Sequence, residues 1–158
     1  MSASREAGEP DVVTAETSAL AAADAIIDDF GHHRREGYFA GFDTDATFIF
    51  HTHPRRLESR AEYEDLWRSW EDEHGFRVHS CTSSNRRIQI LGHTAIFSHD
   101  VVTDATLDAE RGASYERETI VLRYRSGAWR AIHEHLSPAE VVSTDASTPI
   151  ASEDTNSV

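Results

Sequence analysis

From Gly75 to Pro138 the chain offers extended stretches and short turns, and nothing that reads as helix. Phe76–Leu91 is one stretch, with a bend or bulge expected near Ser83-Ser84-Asn85. Gly92-His93 turns into Thr94–Leu107, and Asp108 to Gly112 turns into Ala113–Arg125. Ser126-Gly127 reads as a two-residue hairpin into Ala128–Ser137, which Pro138 stops. Ahead of Gly75 the pattern is mainly helical. Leu20, Ala23, Ile27 and Phe30 recur at spacings of three and four, which predicts a helix from about Thr14 to His33. A shorter helical turn holds Tyr38 and Phe42 on one side, and the β-branched, aromatic run from Ala46 to His53 reads as a strand. Ser59-Arg60-Ala61-Glu62 is a capping box opening a helix with Tyr63, Leu66, Trp67, Trp70 and His74 on one face. Gly75 closes that helix in a left-handed conformation. Helices followed by a run of long antiparallel strands specify an α+β fold.

The strands do not alternate cleanly between apolar and polar. Ile120, Leu122 and Tyr124 share one face of their strand, while Tyr115, Thr119 and Val121 share the other. In the last strand Trp129 and Ala131 oppose Ile132 and Leu136. An antiparallel sheet that is partly apolar on both faces needs two covers. Helices supply one, and the second is expected to be another copy of the chain, giving a homodimer through the sheet.

The 158 residues fit one domain, expected over 12–139, with polar disordered tails at 1–11 and 140–158. The formal charge is −13 and all 15 Lys+Arg residues are arginine, so the field repels phosphate backbones and lysine Schiff-base chemistry is excluded. No nucleic-acid partner is expected. No apolar run is long enough to span a membrane, and the polar, acidic N-terminus lacks the pattern of a secretory signal, so a cytoplasmic location is expected. Cys81 is the single cysteine, which excludes an internal disulfide and a thiolate zinc site built from the chain's own cysteines.

Gly127-Ala128-Trp129-Arg130-Ala131-Ile132-His133-Glu134-His135-Leu136-Ser137 resembles the closing strand of SnoaL-like domains, within the nuclear transport factor 2-like superfamily. It is similar also to the association domain of calcium/calmodulin-dependent protein kinase type II. Glu116-Arg117-Glu118-Thr119 and the layout from Phe42 through the Trp67 helix extend the resemblance over roughly residues 15–138. The resemblance implies a cone: N-terminal helices packed in a strongly bent, mostly antiparallel sheet around a pocket. The arginines that line the kinase-hub pocket are replaced here by Val102, Ile120 and Leu136, so an anion-binding character is not implied. Neither is the mechanism of ketosteroid isomerase, whose base and oxyanion pair find no matching positions.

Candidate chemistry follows from the strands. His133 and His135 share a face. An unbulged hairpin would set Glu118 opposite His135, a carboxylate–imidazole pair suited to general base work; a bulge would reverse the parity. The alternative is that both histidines pack at a dimer surface. Glu134 would point the other way, near Ile132 and Leu136 and beside Asp100, either as a pocket acid whose apolar surroundings hold its proton or as a paired or edge-exposed carboxylate. Tyr38 is expected at the cavity mouth, its hydroxyl available to a ligand oxygen, and Trp67, Trp70, Ile120 and Leu122 as apolar walls. His51, His53 and Glu58 resemble the His-x-His-x4-Glu start of a cupin metal site, a weaker alternative because the second cupin motif is missing. These features predict a cofactor-free pocket protein that binds, isomerises, cyclises or dehydrates a modestly polar organic ligand. A non-catalytic oligomerisation module is the alternative.

Overall fold

A computed structural model describes residues 11–141. The tails expected at either end lie, apart from Asp11, Glu140 and Val141, outside the described residues. The elements are α1 (Val12–Gly31), α2 (Arg35–Ala40), β1 (Phe42–Phe50), α3 (Arg60–His74), β2 (Arg77–Leu91), β3 (Thr94–Leu107), β4 (Glu110–Arg125) and β5 (Ala128–Pro138). One sheet carries all five strands in the order β1-β5-β4-β3-β2, with only β1 and β5 parallel. The architecture is the α+β cone expected: helices held inside a curved sheet.

α1 lies two residues earlier than its periodicity predicts and buries a narrower stripe, Ala15, Ala19, Ala23 and Ile26. Leu20, Ile27 and Phe30 flank that stripe half-buried. Small side chains let the helix approach the sheet closely, and the approach is tightest at its end. A Cβ on Gly31 would sit 3.1 Å from the Cys81 amide nitrogen and 3.2 Å from the Cys81 Cβ, so glycine is what allows α1 to meet β2 there.

β1 starts at Phe42 rather than Ala46 and ends at Phe50 rather than His53. It stops because Leu57 folds back on Phe48, exchanging backbone hydrogen bonds of 3.0 and 2.9 Å and turning His51–His53 into a loop. α3 opens as its capping signal predicts: the Ser59 hydroxyl accepts from the Glu62 amide at 3.2 Å. The Glu62 carboxylate accepts from the Glu58 amide at 2.8 Å, one residue before the cap. Gly75, at φ 60° and ψ 33°, closes the helix.

Two details of register decide which side chains face inward. The β3–β4 turn is two residues, Asp108 and Ala109 at φ 52° and 63°, not the five-residue turn expected, so β4 begins at Glu110 opposite Leu107. The β4–β5 hairpin begins as expected, with Arg125 opposite Ala128 and Tyr124 opposite Trp129. Ile132 is then an extra residue: Leu122 pairs with Ala131, but Val121 pairs with His133. That bulge reverses the facing of the rest of β5.

Candidate functional site

The concave face of the sheet and the inner faces of the helices enclose a cavity of about 640 Å³. The inward row of β3 runs Ala95, Phe97, His99, Val101, Thr103, all buried. Its first members join Trp67, Phe42, Phe48, Ile120 and Leu122 in the core, while Val101 and Thr103 line the cavity. Across from them, α1 and α3 and the segment after α3 contribute Phe30, Tyr63, Trp70 and Phe76. Trp67, Ile120 and Leu122, expected as cavity walls, are fully buried beneath it, and only Trp70 of the four lines the space.

Four polar groups meet at one end of the cavity. Glu118 on β4 and Glu134 on β5 both face inward, 9% and 3% exposed, near enough for each to shift the other's proton affinity. The Tyr38 hydroxyl donates to Glu134 Oε2 at 3.0 Å and lies 3.3 Å from the Tyr63 hydroxyl. Tyr38 is thus buried at the floor, not set at the mouth as its position in the sequence implied. On the far side of Glu118, His99 Nε2 lies 2.5 Å from Oε2, and His99 Nδ1 lies 2.7 Å from the Ser83 hydroxyl.

Burial sets the protonation of this group. It lifts Glu118 to about 7 and Glu134 well above the usual carboxylate range, the nearby Glu118 charge adding to the second. It lowers His99 to about 4, with Arg86 adding to the effect. Between those limits Glu118 holds its proton and donates it to Nε2, while Nδ1–H donates to Ser83. When Glu118 ionises, the imidazole can present Nε2–H to it and Ser83 can turn to donate to Nδ1, because a hydroxyl serves as donor or acceptor. The Ser83–His99–Glu118 chain is therefore satisfied in both states. Cys81 also lines the cavity, its thiol pushed up to about 12 by burial and by Glu118.

The other candidates lie elsewhere. Glu118 does not meet His135; the bulge at Ile132 sets Thr119 opposite His135 and turns His133 and His135 onto the convex face. There His133 Nδ1 lies 2.8 Å from the Thr47 hydroxyl and the two imidazoles are 6.3 Å apart. Asp100 is out of register with Glu134: it pairs with Arg117 on the outward row and accepts from the Asn85 side chain at 3.1 Å. His51, His53 and Glu58 do not converge. His51 contacts Glu116 at 2.6 Å near the cavity, Glu58 binds Arg56, and His53 is half-buried. Among the described residues no three His, Cys, Asp or Glu side chains are arranged to hold a metal.

His99 and Ser83 had no part in the sequence-based site. The signal for His99 was present: it is the one ionisable residue in an inward row that is otherwise apolar or threonine. Its pairing with Glu118 follows by counting back from a two-residue turn at Asp108-Ala109.

Comparison with known proteins agrees with this geometry. A proposed scytalone dehydratase from Novosphingobium aromaticivorans superposes with a TM-score of 0.69 at 15% identity, covering 81% of this chain and 86% of its own. A nuclear transport factor 2-like protein from Cytophaga hutchinsonii gives 0.67 at 12% identity, over 82% and 100%. A proposed calcium/calmodulin-dependent kinase II association domain from Exiguobacterium sibiricum gives 0.65 at 14%, over 85% and 98%. At these identities the likeness is one of fold. A search of curated proteins returned no match. The SnoaL-like domain family matches residues 19–140, most of the chain and all of the strands that build the cavity, and the protein belongs to that family.

Proposed function

We propose that the chain is a small-molecule protein whose cavity binds an organic ligand and moves protons on it without an organic cofactor. The observation that carries this reading is the meeting of Glu118 and Glu134, from adjacent strands, at the floor of a cavity walled by aromatic rings. Their proton affinities differ. Glu118, near neutrality at about 7, is the base. Glu134, held protonated and contacted by Tyr38, is the acid. On a substrate with a carbonyl, Glu118 takes the proton from the adjacent carbon and the C–H electrons pass toward the carbonyl oxygen. Glu134 gives its proton to that oxygen or to a departing hydroxyl. Isomerisation, ring closure and loss of water all use this pair of transfers. One structural neighbour is described as a proposed dehydratase, which agrees with that class of chemistry.

Two probes test the reading. The apolar fluorophore 1-N-phenylnaphthylamine should brighten with the wild-type protein and not with a folded Thr103→Trp variant, which fills the cavity. The ring opening of 5-nitrobenzisoxazole needs one buried base: its C–H proton goes to the base, the N–O bond breaks and a cyanophenolate leaves. It should run above the buffer rate, rise with pH around Glu118's value of about 7, and fall to background in Glu118→Gln. A wild-type protein that neither brightens the fluorophore nor opens the ring would overturn the proposal.

A second reading concerns assembly. The convex face carries Tyr115, Val121, Ile132 and His133 half-buried or exposed. Two solved neighbours are named for an association domain or a hub. A homodimer closing over this face fits both facts, and it is compatible with an occupied cavity.

A further inference from the structure

The cavity's charge is one-sided. On the inward row of β4, Glu116 and Glu118 follow one another from the mouth toward the floor, and Glu134 stands beside Glu118 on β5. Their partners are neutral or weakly basic. Glu134 takes the Tyr38 hydroxyl, Glu118 takes His99, and Glu116 takes His51. The lining has one arginine, Arg111 at the rim, and its guanidinium is bound to Asp104 at 2.6 Å. The remaining walls are aromatic faces, Phe30, Phe50, Tyr63, Trp70 and Phe76, which attract a cation through their quadrupoles.

We infer, building on the pocket reading above, that the ligand of this cavity is an organic ammonium: an apolar body seated among the rings, with its cationic nitrogen against Glu116 and Glu118. A carboxylate or phosphate ligand would meet Glu116, Glu118 and Glu134, and among the described lining residues the one arginine is already bound to Asp104. A neutral ligand would leave Glu118, once ionised, with only the imidazole of His99 against it in an apolar space.

Such a ligand would also prepare the chemistry. Its positive charge favours ionised Glu118, so binding releases the Glu118 proton, and the Ser83–His99 chain remains hydrogen-bonded through the change. Glu134 keeps its proton, held by burial and by Glu118's new charge. The groups facing the two carboxyls are His99 from β3, Cys81 from β2, Tyr38 from α2, Tyr63 from α3 and Glu116 from β4. Of these, burial keeps the tyrosines and the thiol neutral at ordinary pH. Binding of an ammonium should therefore tighten as pH rises through Glu118's value of about 7.

The test uses three near-isosteric probes on the full chain: tryptamine, the neutral tryptophol and the anionic indole-3-propionate. Calorimetric titrations should show tryptamine binding at least about tenfold tighter than tryptophol at pH 8, a margin that shrinks at pH 5.5. Titration in buffers of different ionisation enthalpy at pH 6.5 should show a proton released with tryptamine and none with tryptophol. Glu118→Gln should abolish the release and most of the preference while still binding tryptophol, which shows that the variant is folded. Tryptophol or indole-3-propionate binding as tightly as tryptamine would overturn the ammonium assignment and leave the pocket reading standing. So would failure of all three to bind while 1-N-phenylnaphthylamine still does. Loss of the fluorophore signal as well would overturn both.

Discussion

His99 and Glu118 exchange the usual roles of an imidazole and a carboxylate: across a 2.5 Å contact the carboxyl holds the proton at mildly acidic pH and the imidazole accepts it. In the unfolded chain the order is the ordinary one, His99 near 6.5 and Glu118 near 4.5. Between pH 4.5 and 6.5 the pair therefore holds one proton in either state, and its contribution to stability is flat. Glu118 alone, with its folded value raised, would lose stability as pH climbs from 4.5 through about 7. His99 alone, with its folded value lowered, would lose stability as pH falls from 6.5 toward about 4.

The single variants should uncover these two slopes. His99→Gln should lose stability, relative to wild type, as pH rises from 4.5 to 7, and Glu118→Gln as pH falls from 6.5 to 4. Each slope should approach about 1.4 kcal/mol per pH unit for one uncompensated proton. Urea melts across that range measure it. Variants that track wild type at every pH would show that the contact carries no proton linkage.

Double variants separate the two histidine arguments. His99→Gln and Glu118→Gln share a contact, so their losses should be non-additive by about 0.5–3 kcal/mol. His135→Gln and Glu118→Gln lie on opposite faces of the sheet and should add to within about 0.5 kcal/mol. Coupling in the second pair, measured by the same melts, would mean that Ile132 is not bulged in solution.

The two tryptophans of α3 should respond differently. Trp67 is fully buried among Phe30, Tyr38, Phe39 and Phe76, and its indole N–H donates to Glu71 at 2.6 Å. Trp67→Ala should cost about 3–5 kcal/mol. Trp70 borders the cavity half-buried, so Trp70→Ala should cost about half of that or less and change fluorophore binding. Denaturant melts read the first effect and emission the second; equal losses of stability would contradict the assignment of one ring to the core and the other to the wall.

The convex face predicts a dimer at micromolar concentration. Val121→Glu, on that face and away from the cavity, should convert it to monomer in sedimentation velocity while leaving the fluorophore response intact. A wild-type protein that sediments only as a monomer would sink the assembly reading.

Much of the fold could be read from local signals. The Ser59 cap, the Gly75 stop and the Ser126-Gly127 turn each involve neighbours in sequence, and each signal sits where its element begins or ends. The facing of β5 could not be read that way. Ile132 is an ordinary strand residue, and its extra place shows only in the pairing of β5 with β4 on one side and with parallel β1 on the other. The one extra residue there takes His135 away from Glu118, while His99 comes to it from the other side through the two-residue Asp108-Ala109 turn, where five turn residues were expected. The inward facing of Glu134 hung on the same bulge: an unbulged β5 would set it opposite Thr119 on the convex row, and the extra residue sets it opposite Ile120. Tyr38 was legible as a polar group near the cavity, and its depth depended on how α2 packs.

At the far end of the cavity, the Asp108 amide donates to the His74 carbonyl and the two side chains meet, each at 2.7 Å. This joins the tip of the long β3–β4 hairpin to the end of α3, and neighbouring Leu107, Glu110 and Arg111 form the rim. The partnership raises His74, so the clasp holds more firmly in acid, the condition that also neutralises the floor. A molecule entering past this rim would have its rate set by the clasp and its affinity set by the floor. Asp108→Asn should speed association and dissociation of the fluorophore together in stopped flow and leave their ratio unchanged. Passage in this protein would then be governed by a gate 34 residues wide in sequence and one turn wide in space, tunable with no alteration of the chemistry behind it.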